Sequence, residues 1–451
     1  MVHHNTKHSN TVKRNGALSG MSNDECFMIS GNSSVFGTKE NIASLTPINE
    51  VADLNLPFDV KDLVNIYCGY NVVFYVTKTD IYSKLYTYEG GMHERTGELQ
   101  KIVMPNGIDL SPSLYIKKIS SGSDHTMILL CDGTLICYGL NGDGQLGIDT
   151  KEPIIPFPRI VNPEIFSKKK IMDVVCGYYH TIVLTEDRHV YVAGRNCNFQ
   201  IGINTYDSDD SGPIKKQRIF TRIDIPTVKS NEKIIKIVSS SHNSCVLTDA
   251  GILYGTGYNM FDTLGSTGST MFTPIEPFHT NEQYVKDVWC TTLVSFVKLD
   301  NDDIYTCGKH EYVELFTAPV EPVSKYTKND YLSGKNIDKL CGLYTLSAVD
   351  ENNENLYMAG ENSYKQIVDS DKSIIINYKN EKISKILKMK SYSSVNIQGG
   401  FRICSMSLTR KNGYTKNLCN MYANLYSSIF SDYSDKGKKV APFSDVLLKF
   451  D

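Results

Sequence analysis

Tryptophan is almost absent from this sequence, since Trp289 is the only one among 451 residues and Cys290 follows it. A propeller built from WD repeats carries a Trp-Asp pair in successive repeats, so a chain with one tryptophan and no such pair does not fit that class. Kelch repeats are excluded in the same way, because recurrent tryptophan and Gly-Gly pairs are missing. Two familiar repeat classes are therefore ruled out at the start.

Long apolar runs are also lacking. Residues 1–20 are polar and have no apolar core of the kind that a signal peptide needs. No run elsewhere approaches the roughly 20 apolar residues that a membrane-spanning helix requires. The net charge of −3 gives no general attraction to nucleic acid or to an anionic membrane. We therefore expect a protein partner rather than a nucleic acid or a membrane.

The chain has 12 cysteines but no Cys-x-x-Cys pair, and no histidine pair lies at zinc-ligand spacing near one. We expect no bound metal. Cys68, Cys176 and Cys341 all precede a glycine at one position of a recurring pattern, which predicts small, buried, apolar residues rather than disulfide partners. Free thiols favour a reducing compartment, so we expect a cytoplasmic protein, with the nucleus as the alternative.

The pattern itself is clearest over residues 121–147. Met127–Leu130 and Leu135–Tyr138 are short runs of strand-forming residues, and Asp132-Gly133 between them is typical of a hairpin turn. A Gly-rich second turn ends with Gln145-Leu146-Gly147. Residues 176–202 repeat this order, and their histidine, His180, follows His125 by 55 residues. A third copy begins at Ser241, and weaker copies begin at Cys68, Val288 and Cys341.

Two half-copies remain at the ends of this series. Met28–Gly37 has the second half of a repeat without a first half, and Gln398–Leu408 has a first half without a second. Joined, they make a seventh unit from both ends of the chain. Such a unit would close a ring of sheets and remove its open edges.

The residues from Ser121 to Gly147 resemble the repeat of the regulator-of-chromosome-condensation family, which reads roughly Gly-x-x-His-Thr, an apolar strand, Asp-Gly, Tyr/Trp-Gly-x-Asn and Gly-Gln-Leu-Gly. The likeness extends over residues 26–408. It implies an all-β fold, a seven-bladed β-propeller with repeats of about fifty residues. We accordingly expect a disordered polar tail over residues 1–24, the propeller over 25–408 and an extension over 409–451.

Motifs that carry catalysis or hold a cofactor are lacking. Gly142, Gly144 and Gly147 have the spacing of a dinucleotide-binding loop, but that loop joins a parallel strand to a helix, whereas this one closes a hairpin. The sequence contains no phosphate-binding loop, no Gly-x-Ser-x-Gly and no His-Glu-x-x-His. We expect no cofactor and no catalytic residues.

The C-terminal extension shows a different pattern. Apolar residues at helical spacing predict an amphipathic helix over 417–430. Residues 443–450 begin Phe-Ser-Asp-Val and resemble the first strand of BTB domains, which some propellers of this family carry after the last blade. This likeness implies a truncated product of that branch.

Two functions are compatible with these features. The founding member of the family is a guanine-nucleotide exchange factor for the Ran GTPase, and acidic and histidine residues of its Gly-x-Asp-His loops face the GTPase. The resemblance makes Asp124, His125 and His180 the GTPase-facing candidates here, although the recurrence of the histidines favours a structural role. Only one repeat has the Asp-His pair, and we see no inserted wedge. We therefore favour a monomeric protein-interaction scaffold, with exchange on a small GTPase as the alternative. The acidic segment Asp207–Asp210 is interpreted as an exposed loop.

Overall fold

The computed structural model describes residues 25–410 except 32–41, 52–53, 71, 86–98, 205–213, 226–227, 230, 258, 260–261, 266–267, 279–282, 292, 309–315, 317–322, 343, 364–366, 369, 371, 373, 391 and 401–402. The predicted helix 417–430, the BTB-like residues 443–450, the N-terminal tail and the segment Asp207–Asp210 lie outside these residues.

Seven four-stranded antiparallel sheets make a seven-bladed β-propeller, which confirms the predicted fold. Blades 1 to 6 are continuous in the chain. Blade 1 contains β3 (Leu63–Cys68), β4 (Val72–Thr77), β5 (Ile81–Leu85) and β6 (Gln100–Ile102). Blade 2 contains β7 (Ile116–Ser121), β8 (His125–Leu130), β9 (Leu135–Leu140) and β10 (Ile154–Ile160). Blade 3 contains β11 (Ile171–Cys176), β12 (His180–Thr185), β13 (Val190–Arg195) and β14 (Lys216–Ile223).

The remaining continuous blades follow the same order. Blade 4 contains β15 (Ile234–Ser239), β16 (Asn243–Thr248), β17 (Leu253–Gly257) and β18 (Ser269–Pro274). Blade 5 contains β19 (Val285–Cys290), β20 (Val294–Leu299), β21 (Ile304–Gly308) and β22 (Val323–Lys328). Blade 6 contains β23 (Ile337–Gly342), β24 (Thr345–Asp350), β25 (Leu356–Glu361) and β26 (Ile374–Lys379).

The closing blade combines both ends of the described chain. It contains β1 (Glu25–Gly31), β2 (Ile42–Pro47), β27 (Tyr392–Gly400) and β28 (Ile403–Arg410), in the order β2-β1-β28-β27. β1 pairs with β28 over seven residues, with Cys26 opposite Leu408 and Ile29 opposite Ser405. The predicted closure of the ring is thus confirmed. The C-terminal half-copy, however, comprises two strands and begins before Gln398.

The second strand of each continuous blade is buried along its whole length. Both faces of such a strand contact neighbouring blades, so its apolar residues do not alternate with exposed polar ones. One core cluster shows this directly, because it joins Met127 and Leu129 of blade 2 to Val183 and Phe220 of blade 3. The hydrophobic core therefore lies between the blades.

A short helix, α1 (Glu381–Lys390), precedes the closing blade and was not predicted from the sequence. Asn380 caps it, since its side-chain oxygen accepts the backbone N–H of Ile383 at 3.0 Å. Ile383 and Leu387 lie one turn apart and are both buried in the core cluster of this region. These two side chains therefore anchor α1 to the core.

Candidate functional site at the mouth of the central channel

The histidines of the repeat join adjacent blades. His125 is 2% exposed, and its Nε2 lies 3.0 Å from Oγ1 of Thr181 in the next blade. The Thr181 hydroxyl donates its proton to the carbonyl of Gln145 at 2.7 Å, so His125 is the donor in the first bond. His180, which is 0% exposed, makes the same bond to Ser244, whose hydroxyl donates to the carbonyl of Gln200. These rings are therefore part of the contact between blades.

The glycines three residues before these histidines make room for the rings. A Cβ atom added at Gly122 would lie 2.2 Å from Cε1 of His125, and one added at Gly177 would lie 1.9 Å from Cε1 of His180. Neither distance is compatible with a side chain. The spacing Gly-x-x-His is thus a packing requirement, in which the ring covers the glycine of its own loop.

Burial of the two rings predicts a stability that depends on pH. Desolvation lowers the pKa of His125 from 6.5 to about 4 and that of His180 to about 3. The unfolded chain binds a proton at each ring below pH 6.5, and the folded protein does so only near these lower values. Stability is therefore complete above pH 6.5 and lost as the pH falls. Between pH 7.5 and 5 we expect a loss of about 2 kcal/mol per histidine.

Urea unfolding at the two pH values measures this loss. Asparagine occupies the same position in blade 4, as Asn243, so the double variant His125→Asn/His180→Asn should lose most of the pH dependence. His189→Asn, at a half-exposed histidine, is the control and should keep it. An unchanged pH dependence in the double variant would show that the two rings are not its source.

The residues just before the histidines lie on the surface, and the structure shows which residues of blade 1 are equivalent to them. Gly69 donates its backbone N–H to the carbonyl of Val72, as Gly122 does to that of His125, so Val72 occupies the histidine position of blade 1. Tyr70 is then equivalent to Ser123 and Tyr178. Asp124 is exposed and accepts a hydrogen bond from the hydroxyl of Ser123 at 2.6 Å. Of the three predicted site residues, Asp124 alone presents its side chain to solvent.

The cysteine position also needs a correction. Cys68, Cys176 and Cys290 end the innermost strands β3, β11 and β19, opposite Val73, Thr181 and Ser295. In β23 that terminal position is Gly342, and Cys341 lies one residue earlier. Cys341 was therefore misassigned, and Cys290 belongs to the set.

An aromatic cluster forms where the loops of blades 1, 3 and 4 meet. The rings of Tyr70 and Tyr178 are 5.0 Å apart, and those of Tyr178 and His242 are 5.7 Å apart, both edge to face. The guanidinium of Arg195 lies 4.3 Å above the ring of Tyr179. Burial, aided by the charge of Arg195, lowers the pKa of His242 and favours its neutral form. The sequence did not single out this cluster.

The charge of Arg195 is held in place by blade 2. Its Nε donates to Oδ2 of Asp143 at 2.9 Å, and both side chains are partly exposed. A stacked guanidinium with a fixed carboxylate partner is rigid, so its remaining donors point in set directions. With Asp124 and Asp143, the surface beside the aromatic cluster carries two negative charges and one positive charge.

A cavity of about 170 Å³ opens beneath this cluster, at the end of the innermost strands. Its walls are formed by Cys68, Gly69, Tyr70, Ser121, Gly122, Cys176, Gly177, Tyr178, Ser239, Ser240, Ser241, Cys290 and Thr291. We call the cavity and the aromatic cluster around it the channel mouth. Every described lining residue is uncharged.

The third residues of the innermost strands form a second feature that the sequence did not reveal. Lys118 pairs with Asp173 of the next blade at 2.7 Å, and Lys236 pairs with Asp287 in the same way. Lys339 donates instead to the carbonyl of Val395 at 2.7 Å. The first two contacts are ion pairs between blades, and the third is a hydrogen bond between blades. They do not form a metal site, since no group of three potential ligands is found in the part of the chain that the structure describes.

Two of the repeats match known sequence models. A sequence model of the regulator of chromosome condensation (RCC1) repeat matches residues 116–145 and 171–200, and a second model of the repeat matches residues 132–184. The chain contains RCC1 repeats. The matched residues belong to blade 2 and to the first three strands of blade 3, the two blades with the Gly-x-x-His spacing.

Two curated relatives share part of this region. An RCC1 repeat-containing protein of Dictyostelium discoideum is 30% identical over 148 residues, which is 32% of this chain and 28% of that protein. The ultraviolet-B receptor UVR8 of Arabidopsis thaliana is 31% identical over 145 residues, 31% of this chain and 30% of the receptor. The chain thus matches less than a third of the length of these two relatives.

Solved structures share the whole fold. Human WBSCR16 has a TM-score of 0.65 at 14% identity, over 86% of this chain and 100% of that one. Prp20p of Saccharomyces cerevisiae has a TM-score of 0.63 at 15% identity, over 88% and 95%. At this identity the likeness establishes the RCC1-type propeller fold alone. Among the described residues, no helix is long and apolar enough to cross a membrane.

Proposed function

We propose that this protein is an interaction scaffold whose channel mouth binds a protein partner. The observation that carries the proposal is the partly exposed cluster of Tyr70, Tyr178, Tyr179 and His242, with Arg195 stacked at its side. Tyrosine and arginine are enriched at the energetic centres of protein interfaces, because they combine a large contact area with few mobile bonds. The ring of blades supplies a rigid support for them.

Proteins with this fold support the choice of a protein partner. Prp20p has binding properties toward Gsp1p and histones, and yeast RCC1 (Prp20) has been crystallised with Kap60 bound. Mouse HERC2, a ubiquitin-protein ligase, is 24% identical over 74% of this chain, but the match covers 7% of that protein. We extend to this chain only the use of an RCC1-type propeller as a protein-binding module.

We further propose a monomer in the cytoplasm, with the nucleus as the alternative compartment. The closed ring supports the monomer, since β1 and β28 pair with each other and neither is left as an open edge for a second copy. The compartment follows only from the cysteine pattern and the composition.

Nucleotide exchange on a small GTPase is the second candidate, and Asp124 is the observation that favours it. Its carboxylate is exposed beside the channel mouth, where it could engage a basic residue of a GTPase. The rings of His125 and His180 are buried and hydrogen-bonded to Thr181 and Ser244. This weakens the resemblance to an exchange factor whose histidines face the GTPase. Interaction without exchange is the function we favour.

A nucleotide-release assay distinguishes the scaffold function from nucleotide exchange. Under the scaffold proposal, the wild-type protein does not accelerate release of a fluorescent guanine nucleotide from Ran or from a panel of other small GTPases. If it does, Asp124→Ala should reduce the rate at least about tenfold, equivalent to about 1.4 kcal/mol at the transition state. The melting temperature should stay unchanged, because only the exposed side chain is removed.

Catalytic release by the wild type that is lost in Asp124→Ala would replace the scaffold proposal with exchange. Asp132→Ala is the control for a neighbouring carboxylate in the same blade. Its side chain accepts bonds within the β8–β9 turn, so its loss should affect stability and not release.

A further inference from the structure

Helix α1 carries positive charge on its exposed side. Its ten residues include four lysines and one glutamate, in a chain whose net charge is −3. Lys382, Lys385 and Lys388 are all exposed, and their spacing of three residues places them along one side of the helix. The three positions span about 9 Å of the helix axis, at about 1.5 Å per residue. We call these three side chains the lysine row.

The charge of the lysine row is not neutralised by a neighbouring carboxylate. Glu381 lies four residues before Lys385, which is the spacing at which a glutamate and a lysine pair best on a helix. Its Oε1 lies instead 3.5 Å from Nζ of Lys379, outside the helix. In the part of the chain that the structure describes, the lysine row has no carboxylate within ion-pair distance. Its three charges are therefore open to a partner.

The opposite side of α1 fixes the helix on the propeller. Ile383 and Leu387 are each 1% exposed in the core cluster of this region. Oγ of the buried Ser384 accepts the backbone N–H of Leu356 in blade 6 at 3.1 Å. The helix is thus held in place before a partner arrives, and binding has to order only the lysine side chains.

The lysine row lies on the face of the propeller opposite the channel mouth. α1 joins the end of β26 to the start of β27. β27 is the innermost strand of the closing blade, and Lys339 of the innermost strand β23 donates to its Val395. The innermost strands end at the channel mouth, so the start of β27 is on the other face. A partner bound to α1 leaves the channel mouth free.

We propose that the lysine row binds an acidic segment of a second protein partner, with at least three successive aspartate or glutamate residues. Three residues of an extended chain span about 10 Å, which matches the length of the row. This inference goes beyond the proposed docking at the channel mouth. It gives the scaffold a second binding surface and lets it hold two proteins at once.

Two other polyanions fit the lysine row less well. A basic amphipathic helix binds a membrane surface by inserting its apolar side, but Ile383 and Leu387 of α1 are packed in the core. Affinity for nucleic acid grows with the number of phosphates that a protein neutralises, and three lysines in a chain of net charge −3 neutralise few. A short acidic peptide needs neither an apolar side nor a long basic surface.

A fluorescein-labelled hexaglutamate peptide tests the surface without a known partner. Its fluorescence anisotropy is measured with the full chain, against a hexaglutamine peptide with the same label. We expect saturable binding of hexaglutamate at about 50 mM salt that weakens at about 200 mM, because salt screens exposed charges. The hexaglutamine peptide should not bind.

Two triple variants with the same net charge assign the binding to α1. The first is Lys382→Gln/Lys385→Gln/Lys388→Gln. The second is the matched control at exposed lysines of other blades, Lys151→Gln/Lys169→Gln/Lys325→Gln. The first should weaken hexaglutamate binding at least about tenfold, as expected for the loss of three exposed ion pairs. The control should change it less than about twofold, because salt screens distant charges. Arginine at the three α1 positions should keep the binding.

Three results would overturn the proposal: no saturable binding of hexaglutamate, equal weakening by both glutamine variants, or tighter binding of short oligothymidine or of phosphatidylserine-containing vesicles than of hexaglutamate. The last result would assign the lysine row to a nucleic acid or a membrane. Docking at the channel mouth is measured separately, by crosslinking from position 179. Crosslinking there without hexaglutamate binding would refute the second surface and leave the scaffold proposal standing.

Discussion

Replacing Gly177 by alanine should lower the free energy of unfolding by about 3 kcal/mol or more. The added Cβ would lie 1.9 Å from Cε1 and 2.4 Å from Nδ1 of His180, so the ring has to leave its position. Overpacking of this kind costs about 1–3 kcal/mol and occasionally more. Displacement of the ring also breaks its bonds to Ser244 and Ser239, which leaves buried polar groups unsatisfied. Urea unfolding monitored by tyrosine fluorescence and circular dichroism measures the change in the free energy of unfolding.

Gly142→Ala is the matched control, since a Cβ added there has nothing within 4 Å and its backbone needs no positive φ. Its stability should stay within about 0.5 kcal/mol of the wild type. If both alanine variants unfolded at the same urea concentration, the ring would not need the glycine, and the packing explanation of the Gly-x-x-His spacing would be wrong.

Deleting residues 1–37 should abolish cooperative folding, whereas deleting residues 1–24 should change the unfolding transition little. The longer deletion removes β1, which lies between β2 and β28 and buries Phe27, Met28 and Ile29. Each such side chain contributes about 1.5–3 kcal/mol on burial, and the sum approaches the 5–15 kcal/mol that stabilises a typical domain. The deletion also exposes β28 as an open edge, which promotes aggregation.

Solubility, circular dichroism and thermal unfolding of the two truncations measure this effect. The shorter truncation retains all of β1 and is the control. Equal melting temperatures for both truncations would show that β1 is not needed to close the ring.

Much of the fold could be predicted because the signals that determine it are local. Asp132-Gly133 marks a hairpin, and in the structure Gly133 has a φ of 96° while Asp132 accepts the N–H of Thr134. The missing halves at Met28 and Gln398 implied a shared blade for a similar reason, since a repeat needs both of its hairpins. Helix α1 also had a local signal, in Asn380 followed by Ile383 and Leu387, that the repeat pattern hid.

The channel mouth could not be predicted in the same way, because it depends on which residues of different blades meet. Tyr70 and Tyr178 are more than a hundred residues apart, and their equivalence was concealed because blade 1 has Val72 at the histidine position of the repeat. The hydrogen-bond partners of the histidines could not be predicted for the same reason, because they lie in neighbouring blades. The sequence favoured a structural role for His125, but Thr181 as its partner follows only from the packing of blade 3 on blade 2.

Site-specific photo-crosslinking tests the central claim, that a protein partner docks on the channel mouth. A photoreactive phenylalanine analogue replaces Tyr179 in one variant and Tyr115 in another, and both proteins are irradiated in cells. We expect position 179 to crosslink one defined protein and position 115 to give no such product. Arg195→Ala should reduce the yield at position 179, and Arg195→Lys should restore only part of it, since lysine cannot stack as the guanidinium does. A defined product at position 115 with none at position 179 would contradict the claim.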